Sequence, residues 1–478
     1  MQKLLPILFT LLLIQPATAQ EIITVEEQPI VTPFILQVVL DITVDYSVRN
    51  LKVTYSTTDA FGQPDTASGL LCIPLEESLV FPTAVYNHGT VAERTAVPST
   101  VTTQERFLPQ ALAANGFITC APDYIGLGES DGIHPYVHAA TEASAGRDML
   151  IAVKKWLEQE GIRENGQVFL TGYSQGGHAT AALHRDISTN PGDDGLEVTA
   201  ASHLSGPYSI SGVMRGTLFS DQEATLPGYI AYTYIGYNYV YQLYDDLGQA
   251  FVEPYLSSIR TFAAEQISLG DFNVMLDSML IANEDNITAI FQDSVLQVLE
   301  ERDESNPIVQ ALIDNDTYDW APPEPTLIYY CTADEQVPFR NAILADSVKR
   351  ANGSTTVELE TGGPLDHGGC LRPAYLRTIE FFESLANIYP TSLGEVNVRQ
   401  PIQVYPNPVA AGTSVRLEGP DVTQRPFILY DNAGREMLRG QTSASGDILL
   451  PNGLPRGLSV VRLGLPDGSS AVKRLIVK

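Results

Sequence analysis

Apolar stretches of strand length alternate with amphipathic stretches of helix length along most of the chain. That is the pattern of a largely parallel sheet covered by helices. Strands are predicted over Leu51–Thr57, Gly69–Leu75, Thr83–Asn87, Phe117–Pro122, Gln167–Thr171, Thr326–Cys331 and Thr355–Leu359. Helices are predicted over Ala143–Glu158, from just after Gly176, over Asn341–Ala351 and over Leu371–Ala386. In the first of these, Met149, Ile151, Ala152, Val153, Trp156 and Leu157 recur at helical spacing. The alternation stops over residues 208–320, which read as helical and aromatic-rich, with Tyr229, Tyr232, Tyr234, Tyr237, Tyr239, Tyr241 and Tyr244 crowded together. An insertion between two late strands suits a cap or lid. Its tyrosines fit either a pocket wall or plain packing.

The pattern changes again near the C-terminus. A Pro-rich stretch from Tyr389-Pro390 to Gln400-Pro401 precedes short apolar runs at Ser414–Leu417, Phe427–Tyr430 and Ser459–Leu463, the signal of a small all-β module. Charge divides at the same place. From residue 401 onward nine Lys/Arg face six Asp/Glu, a balance of +3, so the rest of a chain of net charge −29 carries −32. The N-terminus reads as an export signal over residues 1–19: Lys3, an apolar run from Leu4 to Ile14, then Ala17-Thr18-Ala19 before Gln20. The run is much shorter than the about 20 apolar residues of a membrane span. The expected organisation is therefore a signal (1–19), an α/β body (20–388) with a cap insertion (208–320), a linker (389–400) and a small all-β module (401–478).

Composition narrows the function classes. With 478 residues, 44% hydrophobic and 18% charged, the chain has ample material for a core. Its net charge of −29 disfavours nucleic acid and anionic lipid as partners. The four cysteines, Cys72, Cys120, Cys331 and Cys370, have no metal-ligand spacing. In an exported chain disulfides are plausible, with three pairings open.

Candidate chemistry concentrates at Gly172-Tyr173-Ser174-Gln175-Gly176, a G-x-S-x-G between a predicted strand and a predicted helix. That context is what a nucleophile elbow requires, and the glycines leave room for so tight a turn. A serine nucleophile needs a base, and the base needs an orienting acid. Of the seven histidines, at 88, 134, 138, 178, 184, 203 and 367, only His367 follows the insertion. Asp334, at the C-terminal end of the strand that closes at Cys331, is the candidate acid. Glu335 is its near competitor, and Asp366 adjoins the histidine too closely in sequence to orient it easily. Donors to a tetrahedral oxyanion are expected from the backbone N–H groups of Gln175 and of Thr90, in His88-Gly89-Thr90. His88 and His178 read as residues that fix the loop and support the elbow.

Tyr86-Asn87-His88-Gly89-Thr90, Ala121-Pro122-Asp123-Tyr124-Ile125-Gly126-Leu127-Gly128, His134-Pro135-Tyr136, the Ser174 motif with Gly177, and Cys331-Thr332-Ala333-Asp334-Glu335-Gln336-Val337-Pro338 together resemble the α/β-hydrolase superfamily. Within it they resemble the secretory lipase group, over about residues 35–388. The resemblance implies hydrolysis of lipid or smaller carboxylic esters by a Ser174–His367–Asp334 triad, with no metal or organic cofactor. The resemblance also implies two disulfides: Cys72–Cys120, on strands that its order makes neighbours, and Cys331–Cys370, flanking the acid and base loops. A serine peptidase of the same fold and a non-catalytic surface binding protein are the rival readings. The tail, with Val404-Tyr405-Pro406-Asn407-Pro408, Leu429-Tyr430-Asp431, Gly434 and Lys473-Arg474-Leu475-Ile476-Val477-Lys478, resembles the C-terminal sorting domain of the type IX secretion system. That implies an outer-membrane secretion machinery as partner and an extracellular or cell-surface location.

Overall fold

Residues 20–220, 226–391, 402–419, 421–431, 436–465 and 470–478 are described by a computed structural model. The chain divides into two units between Thr391 and Ser392. The predicted signal over residues 1–19 lies outside the described residues, as do residues 392–400 of the expected linker and residue 401.

In the first unit the strands are β1 (Ile22–Val31), β2 (Val48–Thr58), β3 (Pro64–Pro74), β4 (Leu79–Asn87), β5 (Ile118–Pro122), β6 (Glu164–Tyr173), β7 (Val198–Leu204), β8 (Thr326–Tyr330), β9 (Val357–Thr361) and β10 (Tyr389–Pro390). They form one sheet in the order β1-β2-β3-β5-β4-β6-β7-β8-β9, with β10 pairing β4. Pairing is antiparallel from β1 to β5 and parallel from β5 to β9. The residues expected to open the linker thus begin as a short strand: Tyr389 pairs with Val80 and Pro390 with Leu79. β5 lies on one side of β4 and β6 on the other. The chain reverses direction of winding there, and a crevice opens at the strands' C-terminal ends.

Helices cover both faces, and this explains the near-continuous apolar runs of the parallel strands. On one face α3 (Ala139–Gln159) and α4 (Gln175–Thr189) bury Met149, Leu150, Val153, Leu157 and Leu183 against Val85, Ile118, Val168 and Leu170. On the other, α1 (Pro33–Leu40), α2 (Phe107–Ala114) and α12 (His367–Leu385) bury Leu36, Leu112, Tyr375 and Phe382 against Tyr86, Phe117 and Phe169. Phe382 has its ring centroid 5.9 Å from Phe117 and 4.9 Å from Phe169. This packing anchors the helix that begins at His367. Truncating so buried an aromatic costs about 3–5 kcal/mol.

Between β7 and β8 the chain forms a π-turn, Ile210–Met214, and the helices α5 (Arg215–Thr217), α6 (Pro227–Tyr241), α7 (Tyr255–Ala263), α8 (Leu269–Asn283), α9 (Asp293–Glu301) and α10 (Pro307–Asp314). These helices enclose an apolar core of their own, including Tyr232, Tyr234, Tyr237, Phe251, Phe262 and Phe272. α11 (Arg340–Ala351) follows β8. The second unit holds β11 (Gln403–Tyr405), β12 (Ser414–Glu418), β13 (Pro426–Asp431), β14 (Glu436–Gln441), β15 (Asp447–Leu449), β16 (Gly457–Gly464) and β17 (Ser470–Val477). They make two sheets, β11-β12-β15 and β14-β13-β16-β17. Val415, Leu417 and Ile448 of one sheet share a core with Phe427, Leu429, Val461 and Leu475 of the other.

One expectation about the cysteines fails and the other holds. β3 and β5 are neighbours, but Leu71 stands opposite Cys120 and Cys72 opposite Thr119. Residues opposite one another share a face and successive residues alternate, so a one-residue offset sends the two thiols to opposite sides of the sheet. Cys72 is buried in the α2/α12 layer and Cys120 in the α3/α4 layer, and both are free. Cys331 and Cys370 are bonded, closing a loop of sequence separation 39, a constraint worth roughly 2–4 kcal/mol. Alkylation of the denatured, unreduced protein is therefore expected to label Cys72 and Cys120 alone. Recovery of a Cys72–Cys120 cross-linked peptide would contradict this register.

Candidate active site

β6 ends in a turn that puts Ser174 at φ 61° and ψ −121°, directly before α4. A non-glycine residue in this region is strained and persists only where its surroundings fix it. Here two close approaches do so. A Cβ on Gly176 would stand 2.0 Å from the Asn87 carbonyl oxygen, and one on Gly172 would stand 2.4 Å from the Gly176 oxygen. Only glycine fits at either position. The Ser174 N–H is held by Leu204 O at 3.0 Å, tying the turn to the end of β7.

Two further loops meet this turn. After β8, Asp334 is buried, and its Oδ1 accepts the N–H groups of Gln336 (3.1 Å) and Val337 (2.8 Å). Its Oδ2 lies 2.8 Å from His367 Nδ1, and His367 Nε2 lies 2.9 Å from Ser174 Oγ. The three residues singled out in the sequence are thus joined in one hydrogen-bonded line. The two rival carboxylates have other tasks. Asp366 caps α12 by accepting the Gly369 N–H at 2.7 Å, and Glu335 Oε2 accepts the His367 N–H at 3.0 Å. The Tyr173 hydroxyl donates to His367 O at 2.6 Å, and the Cys331–Cys370 disulfide links the end of β8 to α12.

Thr90 follows β4, and Gln175 opens α4. A Cβ on Gly89 would lie 3.8 Å from the Tyr173 oxygen, so the β4 loop runs beside the turn. Neither the Thr90 nor the Gln175 backbone N–H has an acceptor among the described residues. The Thr90 hydroxyl is 3.0 Å from the Tyr136 hydroxyl.

A buried network under the turn was not legible in full. Gln175 Nε2 lies 2.9 Å from both Glu142 Oε1 and His134 Nε2. His178 Nδ1 is 2.6 Å from Glu142 Oε2, and its Nε2 is 2.8 Å from the carbonyl oxygen of Asn315, just beyond α10. His178 does support the elbow, as its place on the following helix suggested. Glu142 gave no signal: a lone acid at the start of a helix usually faces solvent, whereas this one is fully buried. His88 contacts Gly89 O at 2.7 Å, and the Tyr124 hydroxyl donates to His88 O at 2.9 Å, which fixes the loop before Thr90.

A pocket of about 150 Å3 opens beside Ser174 and Gln175. Tyr136, Ile210, Met214, Leu218, Tyr229 and Leu312 make most of its wall apolar, with Val337 and Pro338 on the β8 side. The tyrosine-rich helix α6 therefore both packs the cap and lines the pocket. No cluster of three or more His, Cys, Asp or Glu able to hold a metal occurs among the described residues. No helix among them is long and apolar enough to cross a membrane.

Residues 92–192 match the secretory lipase family. The rice cell wall degrading esterase LipA from Xanthomonas oryzae superposes with a TM-score of 0.65 at 26% identity, over 77% of this chain and 99% of that one. The fold is that of a lipase-like α/β-hydrolase. A Legionella pneumophila protein described as a hydrolase gives 0.67 at 24% identity, over 76% of this chain and 98% of that one. The closed state of Candida antarctica lipase A gives 0.54 at 14%, over 75% and 82%. No curated protein matches the sequence.

Burial sets the charge of the supporting histidines. It pushes His88 and His138 down to about 4 and His134 to about 3. The unfolded chain, with histidine near 6.5, takes up these protons first as pH falls. The stability these three supply is complete above about pH 6.5 and drains as pH falls toward about 3. Histidine hydrogen–deuterium exchange read by mass spectrometry is expected to place all three inflections below pH 5. An inflection near 6.5 would show the rings to be accessible.

Proposed function

We propose that this protein is an exported serine hydrolase that cleaves carboxylic esters through an acyl-enzyme on Ser174. The observation that carries the reading is the unbroken line from Asp334 through His367 to Ser174, with spacings of 2.8 and 2.9 Å. In the proposed reaction His367 Nε2 takes the Ser174 hydroxyl proton as Oγ bonds to the ester carbonyl carbon. Asp334 orients the ring through Nδ1 and stabilises the imidazolium. The Thr90 and Gln175 N–H groups receive the oxyanion, each worth roughly 2.7–4 kcal/mol of barrier. As the tetrahedral species collapses, the C–O bond to the alcohol breaks and His367 returns the proton to the leaving oxygen. Water then repeats the sequence, giving the carboxylic acid and free serine. None of these steps calls for a metal or organic cofactor.

The similarity to an esterase and to the secretory lipase family supports ester over peptide substrates. The apolar pocket supports an acyl group of some length. Export rests on the N-terminal pattern over residues 1–19. The two-sheet C-terminal unit supports its assignment as a type IX sorting domain, addressed to an outer-membrane machinery. A reporter fused to residues 402–478 behind an export signal should reach the medium or cell surface of a bacterium that has this machinery. Retention in the periplasm would remove that assignment.

For the chemistry, Ser174→Ala should lower kcat on p-nitrophenyl esters by about 10^4-fold or more and abolish labelling by a fluorophosphonate, with the melting temperature retained. Asp334→Asn should lower kcat by about 10^4-fold through the wrong imidazole tautomer. Wild-type rates in either variant would sink the mechanism.

A further inference from the structure

Among the described residues one cation lines the otherwise largely apolar pocket: Arg215. It opens α5, directly after the π-turn, and its guanidinium is held in place. Nε donates to Ser211 O at 3.0 Å and Nη1 to Leu299 O at 2.7 Å. The guanidinium carbon also sits 5.7 Å from the centroid of the Phe219 ring. Two of its five N–H donors are used in this way, and the others have no acceptor among the described residues. Both partners are neutral carbonyls, and among the described residues no carboxylate pairs with the guanidinium.

That is unexpected in this chain, where 57 Asp and Glu outnumber 28 Lys and Arg. An acidic partner would be easy to supply. Instead, burial and the like charge of nearby Arg302 hold Arg215 below the ordinary arginine value. The other charged residue of the wall, Glu335, belongs to the β8–α11 loop and is engaged by the His367 N–H. A fixed, partly desolvated guanidinium on a residue of the pocket wall is suited to a carboxylate, which can accept from two N–H groups at once.

We propose that Arg215 selects ester substrates that carry a carboxylate, binding that group at the cap end of the pocket while Ser174 attacks the ester carbonyl. This rests on the ester-hydrolase reading and narrows its substrate class. The anion stands in the acyl part, as in a monoester of a dicarboxylic acid, or in the alcohol part, as in an ester of a hydroxybenzoic acid. A net charge of −29 makes adsorption of anions elsewhere on the protein unfavourable, so a preference for the charged ester would report a local contact.

Two matched pairs test it on the full chain: 4-nitrophenyl monoglutarate against 4-nitrophenyl valerate, and 4-acetoxybenzoate against phenyl acetate. In one pair the charged ester is expected to have the higher kcat/KM by about 10- to 100-fold, and the pair that shows it assigns the side. The advantage should shrink with added salt. The charged-to-neutral ratio should fall toward one in Arg215→Met and be only partly restored in Arg215→Lys, whatever the absolute rates. Should the variants not fold, glutarate inhibition of valerate ester hydrolysis by the wild-type protein reads the same contact, and it should exceed that by glutaramide. Neutral esters turned over with no advantage in either pair, or a ratio unchanged in Arg215→Met, would overturn the role of Arg215 and leave the hydrolase reading intact. No turnover of any ester, together with no fluorophosphonate labelling, would overturn the hydrolase reading itself.

Discussion

A serine at φ 61° cannot hold its place by its own preference. The turn at Ser174 survives because β4, β6 and β7 leave it no alternative. Asn87 O stands against Gly176, Leu204 O accepts the Ser174 N–H, and α4 begins at once behind it. Each restraint comes from a different strand end, so the hydroxyl depends on the assembled sheet. The sheet in turn depends on helices that bury both of its faces. Local strain at one residue is thus maintained by the long-range packing of the first unit.

The same arrangement explains why distant parts of the chain can work together. β4, β6 and β8 are parallel, so the loops carrying Thr90, Ser174 and Asp334 emerge on one edge. α12 starts at that edge with His367 and runs back across the sheet, held by Phe382. The Cys331–Cys370 bond sets the separation of the acid loop and the base helix. Below the turn, Glu142, His178 and Asn315 join the elbow helix to α3 and to the end of α10. The cap's placement and the elbow's placement therefore share one buried network.

Much of this could be read in the sequence, for identifiable reasons. Gly172 and Gly176 announce a tight turn because nothing larger fits, and His367 stands alone after the insertion, so the candidate site was legible. β7 was missed: in Val198–Leu204 small alanines and the polar Thr199, Ser202 and His203 break the apolar signal. Thr199 Oγ1, Ser202 Oγ and His203 Nε2 find partners elsewhere in the chain, whereas His203 Nδ1 has none among the described residues. Ser202 meets Thr378 at 2.7 Å and His203 meets His184 at 3.2 Å. β1 was missed because its residues are largely exposed and mixed in polarity. The Cys72–Cys120 pairing failed on register, which strand order alone does not determine. A shift of one residue reverses which way a side chain points.

The Tyr173 hydroxyl on the His367 carbonyl has a mechanical meaning. It joins the side chain beside the nucleophile to the backbone of the base without involving any atom that exchanges a proton in the proposed cycle. The imidazole can charge and discharge while the distance between nucleophile and base is kept by a separate tie. The frame is in that respect insulated from the chemistry it carries, and a turnover need not disturb the geometry the next one starts from.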